Sequence, residues 1–339
     1  MATIYDVAKE SGFSLSTISN VLNNGPRPVR PETRTRILET MRQLDYHPSA
    51  LARGLASQRT YNLGIMFGVV ESAAIVINAY SAAILQGALT AAADTGYNIT
   101  HLTTPWRGRD VSLSQFRDRS TDGILVVAPP TDSDLIPALA SLKRPLVAVS
   151  WPPEREGVPS IDQDDLYGAR ILVRHLTDLG HRRIGHLTGH PNLVSAGMRQ
   201  QVYLECLAEA GIEMRPEYIL SGVYSSESGY ENARILLSLP ERPTAIFAGN
   251  DEIAFGAMDA ARDMGISIPD ELSIVGVDDR PLAAYMSPPL TTLHPPFAEM
   301  GEAAVRLLIQ LVEGKDVPAT TQLFKPELIV RKSTAPPAS

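Results

Sequence analysis

The sequence predicts an α/β protein in which a small helical unit precedes a larger body built on doubly wound parallel sheets. Residues 1–46 show the apolar spacing of short helices, with turn residues between them. From Asn62 onward, apolar runs of strand length alternate with helical patterns, which is typical of parallel sheets covered by helices. The strand–helix repeats are too numerous for one small domain and therefore predict two lobes.

The first helix is predicted from Ile4 to Ser11. Thr3 is a suitable N-cap, and Asp6 follows three residues later in the arrangement of a capping box. Gly12 then supplies a turn. These features predict a short helix that stops abruptly and allows a second helix to begin at an angle to it.

The second helix is predicted from Leu15 to about Asn23, with Ser14 as its N-cap. One face is apolar and the other presents short neutral side chains. The residues expected inward are Leu15, Ile18, Val21 and Leu22, and those expected outward are Ser16, Thr17, Ser19, Asn20 and Asn23. Two helices joined by such a turn suit a helix-turn-helix, whose second helix enters the DNA major groove.

A third helix is predicted to begin at Pro31, because proline is favoured at the first helical position. With this helix, residues 1–46 resemble the headpiece of the lac repressor (LacI/GalR) family. The matching segments are Thr3–Lys9, Ser16–Ser19 with Val21–Asn23, Glu32–Arg34 and Tyr46–Arg53. The loop over residues 24–28 is slightly longer than is usual in the family.

The resemblance implies a DNA-binding surface on the headpiece. The residues expected to read base edges are Leu15, Ser16, Thr17 and Asn20, while Arg27, Arg34 and backbone amides contact phosphates. Residues 47–61 correspond to the hinge helix and linker of the family, which become ordered on operator DNA. A helix over residues 49–56 is too short to be stable alone. In the hinge, Ala52 and Leu55 are assigned to DNA, with Leu55 as a wedge in the minor groove; the alternative is a solvated linker.

Charge is distributed unevenly along the chain, which has a net charge of −8. Residues 1–60 hold eight Lys or Arg against five Asp or Glu, leaving +3 at the front and −11 behind. This charge distribution confines the electrostatic attraction for DNA phosphates to the N-terminal part of the chain. The one cysteine, Cys206, excludes an internal disulfide and is expected to be a small buried residue. With neither a signal peptide nor a bilayer-length apolar run, a cytoplasmic location is expected.

Residues 62–332 resemble the two-lobed, periplasmic-binding-protein-like effector-binding and dimerisation domain of the family, and 333–339 are expected to be a flexible tail. Crossovers between lobes are expected near 160–163 and 289–292, with a C-terminal return through 320–330. Strands are predicted at 63–67, 97–100, 123–127, 146–149, 183–187, 245–248 and 273–277. Helices are predicted at 79–95, 132–143, 164–180, 198–211, 226–239, 250–265 and 298–313.

The body is not expected to be an enzyme. It contains no phosphate loop, no nucleophile elbow and no metal-spaced His/Cys cluster, so neither a cofactor nor a metal is predicted. The histidines His175, His181, His186 and His190 are interpreted as structural. Asp278 and Asp279 do not form an acid pair, because adjacent residues that leave a strand point in opposite directions.

A ligand site is expected in the crevice at the carboxyl ends of the strands. The family resemblance assigns effector contacts to Arg199, Asn250 and Asp278, and stacking to Tyr224 and Phe297. An arginine, an amide and a carboxylate supply the mixed donors and acceptors that a polyhydroxylated ligand needs. The alternatives are a surface residue for Arg199, a helix cap for Asn250 and a turn residue for Asp278.

The first lobe departs from the family pattern. Ala128 and Ser150 end strands where some sugar-responsive members have Asn and Asp. Four aromatic residues lie in nearby loops or strand ends and suit stacking on sugar rings: Phe67, Tyr80, Trp106 and Trp151. These features favour a sugar, and by extension a di- or oligosaccharide.

The resulting hypothesis is a cytoplasmic, homodimeric transcriptional repressor that binds a pseudo-palindromic operator and responds to a small ligand, most simply a sugar. Purines or nucleosides acting as co-repressors are the alternative effector class. A transport solute-binding protein shares the two-lobed body but lacks a headpiece, and a doubly wound enzyme would need a catalytic motif. Loss of DNA affinity on ligand binding and the reverse response both fit the sequence.

Replacing the hinge leucine tests the wedge. Leu55→Ala should weaken binding to the specific operator far more than binding to random duplex, because it removes the groove contact and leaves phosphate contacts intact. Gel shifts with both duplexes measure the two affinities. Equal losses on the two DNAs would refute a wedge role for Leu55.

Overall fold

The computed structural model describes residues 2–22, 27–47, 59–68, 78–151 and 157–338. Of the assigned DNA contacts, Ala52 and Leu55 lie outside these ranges, as does the predicted hinge helix over 49–56. Asn23, the predicted end of the second helix, also lies outside them. The roles of these residues remain predictions.

The headpiece contains three helices, α1 (Ile4–Ser11), α2 (Leu15–Leu22) and α3 (Pro31–Gln43). The predicted capping box is present, because the Asp6 amide donates to Thr3 and the Asp6 carboxylate accepts from the Thr3 amide. Gly12 adopts a left-handed conformation with φ of 77°. The five buried apolar residues that hold the helices together are Val7, Ile18, Val21, Ile37 and Met41.

Leu15 differs from its predicted inward position. Its side chain is 36 % exposed, whereas Ile18 and Val21 on the same helix are buried. The Ser14 hydroxyl accepts a hydrogen bond from the Thr17 amide and caps the helix one residue before Leu15. Leu15 therefore occupies the first turn, on the side away from the three-helix core, where an apolar side chain is available to DNA.

Within the described residues, lobe 1 is built on a six-stranded parallel sheet. Its strands are β1 (Asn62–Phe67), β2 (Asn98–His101), β3 (Gly123–Val127), β4 (Leu146–Val149), β5 (Ser160–Gln163) and β11 (Thr321–Phe324), in the spatial order β11-β5-β4-β3-β1-β2. Its helices are α4 (Ala79–Thr95), α5 (Arg109–Ser112), α6 (Leu135–Ala140) and α11 (Phe297–Val312). Helices α4 and α11 pack together on one face and bury an apolar core against the sheet.

Lobe 2 repeats this architecture among the described residues. Its strands are β6 (Ile184–Leu187), β7 (Ile219–Leu220), β8 (Ala245–Ala248), β9 (Ser273–Val277), β10 (Thr291–His294) and β12 (Glu327–Ile329), in the order β12-β10-β9-β8-β6-β7. Only β12 pairs antiparallel, with β10. Its helices are α7 (Asp165–Asp178), α8 (Val194–Glu209), α9 (Ser226–Leu237) and α10 (Asp251–Asp263), and Cys206 is buried on α8 as expected.

The described chain passes between the lobes after β5, after β10 and between β11 and β12. The crossovers expected near 160–163 and 289–292 therefore lie slightly later than predicted, because those residues themselves form or approach β5 and β10. The predicted return through 320–330 corresponds to β11 and β12. This topology places α11, which follows β10, back on lobe 1.

The sequence predicts a flexible tail over 333–339, but Ser333 and Ala335 are bonded to lobe 2. Ser333 is fully buried, and its hydroxyl donates to the Ile274 carbonyl and accepts from the Thr291 amide. The Ala335 carbonyl accepts hydrogen bonds from the His181 ring and the Ser273 hydroxyl. The composition of this segment suggested fraying, but its polar groups complete the hydrogen bonding of β9 and β10.

No helix among the described residues is both long enough and apolar enough to span a membrane.

The packing of α4 against α11 allows no side chain at two glycines. A Cβ on Gly87 would collide with the Ala298 carbonyl, and a Cβ on Gly301 would collide with the Ile84 carbonyl. Backbone cannot yield as a flexible side chain can. The helices therefore depend on glycine for their close approach.

Gly87→Ala is expected to destabilise lobe 1 by about 1–3 kcal/mol, because the added methyl group forces the two helices apart. Gly197→Ala is the matched control, since a Cβ there meets no atom within 4 Å and alanine favours a helix. Urea unfolding followed by circular dichroism gives both midpoints. Equal midpoints for the two variants would contradict this account of the packing.

Candidate functional site

A cavity of about 600 Å³ lies between the lobes, at the carboxyl ends of the parallel strands. All five residues that the sequence assigns to the effector line this one cavity: Arg199, Tyr224, Asn250, Asp278 and Phe297. Lobe 1 contributes Tyr80, Ala128 and Ser150, together with Gln163 at the end of β5. The topology explains the convergence, because each polar residue follows a buried strand whose carboxyl end faces the other lobe.

Arg199 is a buried cation, not the surface residue of the alternative interpretation. Its side chain is 6 % exposed; Nε donates to Asp165 Oδ1 at 2.8 Å, and Nη1 donates to the Gly249 carbonyl at 2.6 Å. Burial alone would lower the pKa of Arg199, but Asp165, with smaller contributions from Tyr224 and Asp278, opposes burial, and the net effect is a raised pKa. Arg199 is therefore a fixed positive charge with N–H groups beside the cavity.

Asn250 and Asp278 form a polar pair on lobe 2. Asn250 Oδ1 accepts from the Ile253 amide at 3.0 Å, so Asn250 does cap α10, as the alternative interpretation states, while also lining the cavity. Burial raises the pKa of Asp278 to about 7, opposed by Arg199 and by a hydrogen bond with Asn250. Asp278 therefore changes charge near neutral pH.

Asp279 points away from the cavity, as the sequence predicts for adjacent residues after a strand. Its Oδ1 accepts from Arg331 at 2.6 Å, and its Oδ2 lies 3.0 Å from His294 Nδ1. Asp279 and Asp278 both have positive φ angles, 47° and 116°. This unusual backbone turns one carboxylate into the cavity and the other onto the segment beside β12.

Aromatic rings form part of the cavity wall. Tyr80 and Phe297 meet edge to face with ring centroids 4.9 Å apart, and the Tyr224 hydroxyl lies 3.2 Å from Ser195 Oγ. Gly189 lies directly under the Tyr224 ring, where any Cβ would collide with it. Rings from both lobes are thus held in place beside the polar groups.

Three of the four lobe 1 aromatic residues expected near the ligand do not line the cavity. Trp151 and Phe67 are buried in the lobe 1 core. The Trp106 indole N–H donates to Asp134 at 2.6 Å and the ring packs against Phe116. Only Tyr80 reaches the cavity, because packing of the lobe takes the other rings into its interior.

Tyr80 belongs to a hydrogen-bonded chain that ends on a buried carboxylate. Ser150 Oγ donates to Asp162 Oδ1 at 3.0 Å. The Tyr80 hydroxyl lies 3.0 Å from Ser150 Oγ and donates to it, because the Ser150 proton is already directed at Asp162. Burial, and secondly the nearby Asp165, raise the pKa of Asp162 to about 7, against the hydrogen bond from Ser150. Burial also raises the pKa of Asp165, although Arg199 opposes this shift.

The sequence interpretation missed Gln163, Asp165, Glu252 and Arg280. The first two lie at the crossover after β5, a strand whose polar residues gave no strand signal. Arg280 and Glu252 form an ion pair at the wall of the cavity on lobe 2. Their positions in the sequence could have indicated this pair, since Glu252 lies two residues after Asn250 and Arg280 two residues after Asp278.

The lobes also contact each other beside the cavity. The Thr131 amide and hydroxyl both donate to the Asn192 carbonyl, at 3.0 and 3.2 Å. Asn192 Nδ2 donates to Asp132 Oδ2 at 2.8 Å. Thr131 and Asp132 belong to lobe 1 and Asn192 to lobe 2, so these bonds connect the two lobes beside the cavity.

On the headpiece, Leu15 and Ser16 are exposed and Thr17 is half-buried. Ser14 Oγ lies 2.9 Å from the Thr17 hydroxyl. Asn20 differs from the other predicted readers, because Nδ2 donates to the Arg27 carbonyl at 2.7 Å and Oδ1 accepts from the Arg27 amide at 3.3 Å. Asn20 thus positions the segment that carries Arg27. Arg34 lies in the first two turns of α3, and its side chain is exposed.

His175, His181 and His186 have structural environments, whereas His190 also lines the cavity. His186 stacks on Phe247 with centroids 4.4 Å apart, and its Nδ1 donates to the Phe247 carbonyl; burial lowers its pKa to about 4. His181 and His175 contact the C-terminal segment, and His190 Nδ1 accepts from the Asn192 amide. Among the described residues, no group of His, Cys, Asp and Glu has a geometry that could hold a metal ion.

Two family models match the chain. Residues 3–49 match the bacterial regulatory proteins of the lacI family, and residues 173–334 match the periplasmic binding protein-like domain. Among curated proteins, the HTH-type transcriptional repressor PurR of Mannheimia succiniciproducens is 34 % identical over 98 % of both chains. PurR of Photobacterium profundum is 33 % identical with the same coverage.

Solved structures show the same architecture. The lac repressor dimer bound to operator and the anti-inducer ONPF is similar with a TM-score of 0.86 and 28 % identity, covering 98 % of this chain and 99 % of the other. The transcriptional regulator CelR in complex with cellobiose gives a TM-score of 0.76 and 26 % identity, covering 98 % and 100 %. The similarity thus extends over headpiece and lobes together.

The buried carboxylates predict a pH dependence of stability. The folded pKa of Asp162, about 7, is above its ordinary value of 3.8, so its contribution to stability is fully present below about pH 4 and is lost as the pH rises through 7. Asp162→Asn removes this titration while retaining an acceptor for Ser150 and for the Gln163 amide.

Between pH 5.5 and 8, the unfolding free energy of the wild type should fall by about 1–2 kcal/mol more than that of Asp162→Asn. Denaturation at a series of pH values measures the two profiles, with Asp270→Asn, at a position away from the cleft, as the control. Superimposable profiles for wild type and Asp162→Asn would contradict the raised pKa.

Proposed function

Since this chain belongs to the lacI family of bacterial regulatory proteins and is a transcriptional repressor, not an enzyme, we propose that it acts as a homodimer whose operator affinity is controlled by a carbohydrate bound between the lobes. The observation that carries this proposal is the cavity, in which Arg199 and Asp278 lie beside the rings of Tyr80, Tyr224 and Phe297. Hydroxyl groups both donate and accept hydrogen bonds, so a sugar suits a fixed cation and a carboxylate together.

The size of the cavity favours a ligand larger than one ring. At about 600 Å³ it lies well inside the range of sites that enclose drug-sized ligands. The similarity to CelR, whose structure is a complex with cellobiose, supports a disaccharide. Aromatic walls contribute by stacking on the apolar faces of sugar rings.

A purine or nucleoside is the second candidate. The curated relatives described above carry the name PurR, and the Tyr80, Tyr224 and Phe297 rings offer faces for stacking a flat base. The cavity volume and the acceptor-rich wall favour the carbohydrate. A purine would act through the same cleft.

Control of DNA binding requires the ligand to bind two conformations with unequal affinity. Hydrogen bonds of Asn192 with Thr131 and Asp132 connect the lobes beside the cavity. A ligand in the cavity would contact both lobes and would thereby change the balance between closed and open clefts. In a dimer, that change alters the separation of the two headpieces. We take loss of operator affinity on sugar binding as the default direction.

The DNA contacts are proposed from the headpiece and hinge assignments. Leu15, Ser16 and Thr17 read the half-site, Asn20 positions Arg27 for a phosphate, Arg34 contacts a second phosphate, and Ala52 and Leu55 act at the hinge. A dimer follows from the small contact area of a single headpiece, which a palindrome doubles. The lac repressor neighbour is a dimer on its operator. The cytoplasm, where such a protein meets chromosomal DNA, is the location that this proposal implies.

A thermal-shift screen of the full-length chain tests the effector class. The panel contains cellobiose and other mono- and disaccharides, nucleosides, purines and amino acids. A ligand at one hundred times its Kd adds about 2.7 kcal/mol of stability, and we expect this from a disaccharide. Titrating the same compound into an operator complex then shows whether it releases DNA.

Asp278→Ala should keep operator binding and lose the response to the sugar, because it removes a carboxylate that faces the cavity and leaves the headpiece unchanged. Asp270→Ala is the matched control, since Asp270 lies outside the cavity lining. Gel shifts with and without the sugar measure both properties. A preserved response in Asp278→Ala would contradict its role, and a panel in which only purines bind would replace the carbohydrate with the second candidate.

A further inference from the structure

Gln163 lies where the chain leaves lobe 1 for lobe 2. It is the last residue of β5, and Asp165 begins α7 two residues later. The side chain lines the cavity while only 6 % of the residue is exposed. Such a position makes its amide part of the wall that any ligand between the lobes must meet.

A hydrogen bond from the amide nitrogen of Gln163 fixes the orientation of its side-chain amide. Gln163 Nε2 donates to Asp165 Oδ1 at 2.5 Å, and the same carboxylate oxygen accepts from Arg199 Nε at 2.8 Å. Oδ1 is thus an acceptor for two N–H groups, so the NH₂ group of Gln163 faces Asp165. The carbonyl oxygen, Oε1, therefore cannot exchange places with the nitrogen.

Gln163 Oε1 is buried, and no donor among the residues that the structure describes forms a hydrogen bond with it. Buried acceptors are nearly always paired in proteins, because loss of hydration without a replacement is unfavourable. The side chain lines the cavity, so an occupant of the cavity is the natural source of the missing donor.

We propose that Gln163 Oε1 accepts a hydrogen bond from one hydroxyl of the bound carbohydrate and thereby makes Gln163 a specificity-determining residue. This inference rests on the proposed function and deepens it. Asp278 is also an acceptor at the cavity wall, whereas Arg199 supplies N–H donors. The site thus selects a ligand with at least two donors, and an analogue that lacks the hydroxyl at Gln163 leaves a buried acceptor unpaired.

The test combines changes in the ligand with changes in the full-length protein, and isothermal titration calorimetry measures the affinity of each pair. The ligands are cellobiose, or the disaccharide with the largest shift in the panel, and its monodeoxy analogues. In the wild type, removal of one particular hydroxyl should weaken binding tenfold or more. In Gln163→Met, which matches glutamine in size but has no amide, the parent sugar and that analogue should bind equally.

Gln163→Asn is the second variant, since it shortens the side chain and withdraws the acceptor while keeping an amide. Gln310→Met, at an exposed position on α11, is the matched control and should behave as the wild type. Should Gln163→Met fail to fold, the wild-type deoxy series and Gln163→Asn still decide the question.

The outcomes separate the two proposals. The inference is overturned if the Gln163 variants bind the parent sugar and every deoxy analogue more weakly by the same factor, so that the preference for the hydroxyl is unchanged. Gln163 would then have a purely structural role in holding Asp165. The inference is equally overturned if the wild type tolerates removal of every hydroxyl. If the wild type binds no sugar, the proposed carbohydrate function fails, and the inference fails with it.

Discussion

The cleft depends on a single buried cation. Arg199 is 6 % exposed, and a guanidinium so far from water is tolerated only when its N–H groups are paired. Asp165 and the Gly249 carbonyl provide the partners, which lie at the start of α7 and the end of β8. The pairing therefore fixes three segments of lobe 2, and with them the side of the cavity on which Asn250 and Asp278 lie.

The surroundings of Arg199 contain more carboxylates than it can neutralise. Asp162 and Asp278, both with pKa values raised to about 7, lie in the same network as Asp165. Burial makes their ionisation unfavourable, and the positive charge of Arg199 only partly opposes this. The pH sensitivity expected of this region thus originates in buried carboxylates that one cation does not neutralise.

The sequence predicted the long apolar strands most accurately and missed β5 as well as the short strand β7. β3, β4, β8 and β9 were predicted with the correct bounds, since parallel strands covered by helices on both faces must be apolar. β5 was missed because it carries Asp162 and Gln163, which interrupt the apolar pattern of a buried strand. Of these two residues, Gln163 lines the cavity.

The same distinction applies to the predicted site residues. The family motifs located the five lobe 2 and α11 residues that line the cavity, because each follows a recognisable turn. They could not locate Gln163 or Asp165, whose importance comes from contacts with residues distant in sequence. The motif also could not show that both ends of the Asn20 amide hold the Arg27 backbone, and the base contact of Asn20 stays a prediction.

The segment that follows the headpiece is attached to lobe 1 just before β1. The Asp122 carboxylate accepts hydrogen bonds from the Thr60 amide and hydroxyl, at 2.7 and 2.8 Å, and from the Tyr61 amide at 2.9 Å. These bonds attach the residues just before β1 to the end of the loop that precedes β3. Thr60 and Tyr61, where the chain enters lobe 1, are therefore fastened to lobe 1 itself and not to lobe 2.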